Sequence, residues 1–144
     1  MKVTKLPILG QVIKRIIIGE DKSFILFFMI NGDVWEMYHD QNCCEVVEID
    51  DIEGEIQKLR NSYLTQAEKV TERGLQPKGD ERDEGTWTFY KLATEKEYVT
   101  IKWFGLSNGW YSEEVSFIYL GNLENENYLK RNDYGIEKDN QKII

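Results

Sequence analysis

The sequence predicts a mainly β protein with little helix: an antiparallel sheet of about seven or eight strands in two meander-like halves, with one or two short helices. Three observations carry this. The apolar residues fall in short runs rich in β-branched and aromatic side chains. None of these runs has the length expected of a buried helix. Two Asn-Gly pairs, Asn31-Gly32 and Asn108-Gly109, supply the strongest short hairpin signal, because both residue types tolerate the positive φ of a type I′ turn.

The elements follow in order. Gln11 to Ile18 (Q-V-I-K-R-I-I-I) reads as a strand, and Gly19 to Lys22 as a turn. Ser23 to Ile30 reads as a buried strand, which Asn31-Gly32 turns into Asp33 to Tyr38 (D-V-W-E-M-Y). A polar stretch, His39 to Cys44, leads to a short strand at Glu45 to Ile49. Asp50 to Gly54 is acidic and turn-like, and Glu55 to Leu59 is compatible with a short helix. Tyr63 to Thr71 fits a strand through Thr65 and Val70, although Leu64, Ala67 and Val70 also suit a helix. Glu72 to Gly85, with three glycines, a proline and eight charged residues, reads as a loop dividing the domain into halves. Thr86 to Thr94 and Tyr98 to Phe104 should pair through Glu95-Lys96-Glu97. After the turn at Gly105 to Gly109, Trp110 to Leu120 reads as the last strand. One β-rich domain thus spans residues 1–121. Residues 122–144 form a charged tail, with a short helix at Leu123 to Leu129 and fraying from Asp133 to Ile144.

Size and charge narrow the function classes. A chain of 144 residues suits one domain. The longest apolar run, Phe24 to Ile30, is far below the roughly 20 residues of a membrane span. Met1 to Gly10 lacks the apolar core of a signal peptide, so the cytoplasm is the expected location. The formal charge of -8, from 26 acids and 18 bases, repels phosphate backbones and disfavours nucleic-acid binding. It allows docking on a basic protein surface.

Chemistry-bearing residues are few. His39 is the only histidine, and Cys43 and Cys44 are neighbours. A bridge between adjacent cysteines closes a small ring, so two reduced thiols are expected. A Cys/His hydrolase using His39 with either thiol, oriented by Asp40, is one alternative. A zinc site on His39, Cys43 and Cys44 with Asp40 or Glu45 is another, but adjacent cysteines in an extended chain point to opposite faces. No glycine-rich phosphate loop, G-x-S-x-G elbow or H-E-x-x-H stands in the sequence. No catalytic residue, metal or cofactor is therefore assigned. The aromatic residues that crowd the strands fill a small core, or in part stack on a base or form a protein hot spot. On alternating positions Trp87, Phe89 and Lys91 share one face, and Thr88, Tyr90 and Leu92 the other.

Each Asn-Gly is followed by a small residue, a Glu, a Val and a large apolar residue at equal spacing, Cys44-Glu45-Val46-Val47-Glu48-Ile49 and Ser112-Glu113-Glu114-Val115-Ser116-Phe117. This is the pattern of a duplicated meander, or of strands and turns in general. Met37 to Gly54 and Thr86 to Phe117, with the blocks H-D-Q-x-C-C-E and S-N-G-x-Y-S-E, resemble a family of small uncharacterised bacteriophage and prophage proteins with a domain of unknown function. The resemblance covers roughly Ile16 to Phe117. It implies a compact β-rich fold and a phage origin, placing the protein in the host cytoplasm, and it transfers no activity.

The expected function is a non-enzymatic binding protein that neutralises a host component, an anti-defence inhibitor acting on a host protein or on a nucleotide-like immune signal. A virion or structural accessory role is the remaining alternative. The expected ligand- or partner-binding residues are Arg15, His39, Asp40, Gln41, Asn42, Glu45, Lys102, Trp103, Asn108, Trp110, Tyr111, Ser112 and Glu113. A small-molecule pocket near His39 to Glu45 and Asn108 to Glu113 would draw its cations from Arg15, Lys91 and Lys102. A homodimer suits it, since ligands often bind where subunits meet.

Overall fold

The computed structural model describes residues 1–77 and 83–124. Among the described residues nine strands, β1 (Lys2–Lys5), β2 (Ile13–Ile18), β3 (Phe24–Met29), β4 (Asp33–Tyr38), β5 (Val46–Glu53), β6 (Gln66–Leu75), β7 (Glu84–Ala93), β8 (Tyr98–Leu106) and β9 (Ser116–Asn122), form two sheets. The larger has the order β1-β6-β7-β8-β5 and the smaller β2-β3-β4-β9. All pairings are antiparallel. Among the described residues the helical content is one 3₁₀ turn, Ile56–Leu59, and no helix is long and apolar enough to cross a membrane.

The sheets share one core. Ile13, Ile25, Phe27 and Met37 of the smaller sheet meet Tyr90, Leu92, Ile101 and Trp103 of the larger. The Trp103 indole N–H donates to Met37 Sδ across the gap at 3.3 Å. Leu6, Ile8, Leu59 and Leu64 belong to the same cluster. The outer side of the smaller sheet carries a second cluster, Leu26, Phe28, Val34 and Leu120. This explains the unbroken apolar run of β3, whose residues are buried on both faces rather than alternately.

The mainly antiparallel β class holds, and each sheet is built on a meander, β2-β3-β4 in the smaller and β6-β7-β8 in the larger, with the remaining strands added at the edges. β5 joins β8, and β9 joins β4, so each sheet draws on both parts of the chain. Glu72 to Gly85 is not a long divider. β6 runs on to Leu75 and β7 begins at Glu84, paired in register, with Trp87 Nε1–H donating to Leu75 O at 3.0 Å. Charge and glycine do not prevent ladder formation where the side chains stay in solvent. Asp50 to Glu53 likewise belongs to β5 rather than to a turn, through a register shift between Ile49 and Asp51; the turn waits for Gly54, at φ 94°. Trp110 to Val115 is a loop, and β9 starts only at Ser116. Lys2–Lys5, for which no strand is expected, forms an edge strand on β6. The two Asn-Gly pairs differ in context: Gly32 turns β3 into β4 within one sheet, whereas Gly109 lies in the connection between sheets, which argues against a duplicated meander. Of the helix expected at Leu123 to Leu129, only Leu123 and Glu124 are described, and they form a turn; the rest of it and the tail from Asp133 lie outside the described residues.

Candidate recognition site at the junction of two loops

The first loop, residues 39–45, wraps around a carboxylate. Glu45 is 3 % exposed. Its Oε2 accepts from the Asn42 backbone N–H at 3.0 Å and its Oε1 from the Cys43 N–H at 2.9 Å. The Gln41 amide donates to the Glu45 carbonyl at 2.7 Å and to Oε1 at 3.3 Å. Burial opposes ionisation of Glu45, but the Cys43 and Asn42 N–H groups and the His39 ring outweigh it and hold the carboxyl at about 2. Cys43 and Cys44 are bonded to each other, where two free thiols are expected. The chain bends at these two residues instead of extending, so their sulfurs fall on one side.

The second loop, residues 107–115, is built on the same plan. Glu113 accepts from Ser107 Oγ at 2.6 Å, Thr86 Oγ1 at 2.8 Å and Arg73 Nη1 at 2.8 Å. Burial pushes this carboxyl up, yet the two hydroxyls and the guanidinium keep it below its ordinary value. Asn108 Oδ1 accepts from the Trp110 N–H at 3.0 Å, and Gly109 takes φ 93°, so the tip makes a tight turn. That turn leaves Trp110 86 % exposed. The loop closes on the sheet at Gly105, where a Cβ would lie 2.9 Å from Glu113 Cβ and 3.0 Å from its carbonyl oxygen.

His39 joins the loops. Its Nε2 lies 2.8 Å from Glu45 Oε2 and its Nδ1 2.7 Å from the Glu114 carbonyl oxygen, both within hydrogen-bond distance. Both ring nitrogens are thus engaged, and the side chain is 3 % exposed. The larger sheet holds the same loop from the other side. Lys69 Nζ donates to the Val115 carbonyl and lies 3.4 Å from Glu114 Oε1, while the Tyr90 hydroxyl donates to the Val115 carbonyl at 3.2 Å. Burial and the Glu114 charge push the Tyr90 phenol above its ordinary range.

His39, Gln41, Asn42 and Glu45 thus form one hydrogen-bonded loop, which meets the second loop, bearing Asn108, Trp110, Tyr111, Ser112 and Glu113, through the His39 contact to the Glu114 carbonyl. Asp40 lines, with His39 and Gln41, a cavity of about 540 Å³ on the smaller sheet's side. Three expected residues stand elsewhere. Trp103 is fully buried in the core and cannot meet a ligand. Arg15 pairs with Phe28 on the outer face of the smaller sheet. Lys102 pairs with Phe89 on the outer face of the larger sheet and forms an ion pair with Glu53; its hydrogen bond to Glu53 comes first among the causes that push its ammonium up, against burial. One pocket cannot use both cations, because the sandwich lies between them.

The cations that hold the second loop are Lys69 and Arg73, neither of which is among the expected residues. The alternation Ala67, Lys69, Thr71, Arg73 places them on one strand face, and it becomes visible only when the strand runs beyond Thr71 to Leu75. As for reactive chemistry, both nitrogens of His39 are committed to other acceptors and the two cysteines to each other, so no thiol–imidazole pair is assembled. Among the described residues no three metal-ligating side chains group together.

No match to the chain was found among curated proteins or among solved structures. The domain of unknown function DUF7448 matches residues 7–117, a span that holds both loops and the strands that pin them. The chain therefore belongs to the DUF7448 family.

Proposed function

We propose that the protein is a non-enzymatic binding protein whose recognition surface is the pair of loops joined at His39, and that it neutralises its target by occupying it. The observation that supports this best is His39 itself. A buried imidazole with both nitrogens engaged, one to a carboxylate and one to a backbone carbonyl, is suited to holding two loops in fixed relation and ill suited to shuttling protons. Loops fixed in this way lose little entropy on binding, which favours affinity without catalysis. Trp110, projecting from the second loop, is the side chain best placed to anchor a partner, since exposed tryptophans at rigid positions are typical hot spots. The resemblance to phage proteins makes a host defence component the target of this reading.

The test is capture from cells expressing the protein, followed by mass spectrometry of proteins and small molecules. Trp110→Ala should weaken capture by about tenfold or more while leaving the circular dichroism spectrum unchanged. Sustained substrate turnover that disappears in His39→Ala would refute the proposal.

A further inference from the structure

The inner face of the larger sheet changes character from one edge to the other. Its cross-strand rows read Thr4–Lys69–Tyr90–Ile101 and Lys2–Thr71–Thr88–Trp103, running from β1 through β6 and β7 to β8. The β8 end of each row is core. The β1 and β6 end presents ammonium and hydroxyl groups on the face that a sandwich normally fills with apolar side chains. Such placement is unfavourable unless the groups find polar partners. Thr88 makes the point, being fully buried with no hydrogen-bond partner for its hydroxyl. The smaller sheet does not line this region. The second loop does, through Ser112, Glu113 and Glu114, and between loop and sheet lies a cavity of about 450 Å³ whose wall includes Lys2, Thr4, Lys69, Thr71 and Thr86. That volume is in the usual range of small-molecule sites.

We infer that this cavity binds a phosphorylated, hydroxyl-bearing small molecule, the chemistry shared by nucleotides and sugar phosphates. The inference rests on the binding-protein reading above and assigns it a ligand class and a place. Lys69 is fixed, its ammonium held by the Val115 carbonyl and beside Glu114, with its side chain 14 % exposed. Lys2, at the cavity rim, makes no ion pair with the described residues, and is free to meet an anionic group. Thr4 and Thr71 offer hydroxyls that donate or accept, whereas the Thr86 hydroxyl is held by Glu113 and Arg73. The carboxylate of Glu114, 70 % exposed, accepts from ligand hydroxyls. This mixture decides the class. A bare anion would be repelled by Glu113 and Glu114, and a metal cation by Lys2 and Lys69. A molecule with a phosphate at one end and hydroxyls at the other satisfies both sides.

Isothermal titration calorimetry on the full chain tests this with four probes: adenosine monophosphate, ribose 5-phosphate, adenosine and inorganic phosphate. Adenosine monophosphate or ribose 5-phosphate should bind at least about tenfold more tightly than inorganic phosphate and adenosine, the loss expected for removing one set of charged or hydroxyl contacts. Lys2→Ala, at an exposed edge, and Thr71→Val, nearly isosteric, should each lower that affinity by about tenfold without moving the melting temperature. Binding of neither phosphorylated compound, equal binding of inorganic phosphate, or affinity unchanged in Lys2→Ala would overturn the inference. If Trp110-dependent capture of a macromolecule persists while none of the four probes binds, the cavity assignment falls and the binding-protein proposal stands.

Discussion

Glu45 and Glu113 do the same work at two places: each is a buried carboxylate around which a polar loop is wound. Their ionisation is tied to folding. Glu45 is held at about 2 in the folded chain against 4.5 when free. The stability that it contributes is therefore complete above a pH of about 4.5 and is lost as pH falls from there through 2. Glu45→Gln should reduce the loss of stability across this window, measured as the urea midpoint at successive pH values; a variant profile parallel to that of the wild type would refute the assignment. What was legible here was the block, H-D-Q-x-C-C-E, and not the role of its last residue. A glutamate among polar neighbours looks solvated, and only the inward turn of the Asn42 and Cys43 amides makes it an organising centre. Trp103 and Trp110 show the same limit. Both stand among aromatic and polar neighbours in sequence, yet one is sealed in the core and the other is 86 % exposed. Burial is decided by strand face and loop path, which lie beyond the reach of composition.

At the level of elements, the close approach between β8 and the second loop depends on a missing side chain. A Cβ at position 105 would crowd Glu113 and also Val47 Cγ2, at 3.0 Å. Gly105→Ala should displace the loop at a cost of roughly 1–3 kcal/mol. It should also speed amide exchange across residues 107–115 more than in β7, as hydrogen-exchange mass spectrometry would show; equal protection in variant and wild type would contradict this. The strands themselves were largely readable, with Asp33–Tyr38 placed to the residue. Where boundaries failed, the side chains were charged. β5 exposes Glu48, Asp50 and Asp51 along one outer edge of the larger sheet, and β1 exposes Lys2 and Lys5 along the other. Charges of this kind guard an edge strand against unwanted pairing, so residues that look like a turn in sequence are the normal furniture of a sheet margin.

For the molecule as a whole, one core cluster couples the two sheets. Phe27→Ala, deep within it, should cost about 3–5 kcal/mol. The unfolding midpoints followed by far-UV circular dichroism and by tryptophan fluorescence should shift together; separate midpoints would mean that the sheets unfold independently. The pairing of strands was the least legible property. Short antiparallel strands accept many partners, and the choice is made by which faces complete a shared core.

The exchange of β5 and β9 between the two parts of the chain also bears on synthesis. The smaller sheet obtains its β9 edge only from residues 116–122, and the larger sheet waits for residues 98–106 to receive β5. During translation the early hairpin of β3 and β4 must remain with an unfilled edge until those segments leave the ribosome. Folding is then a late event in synthesis, and a nascent chain stalled before residue 116 would present an open strand margin to chaperones or to other copies of itself.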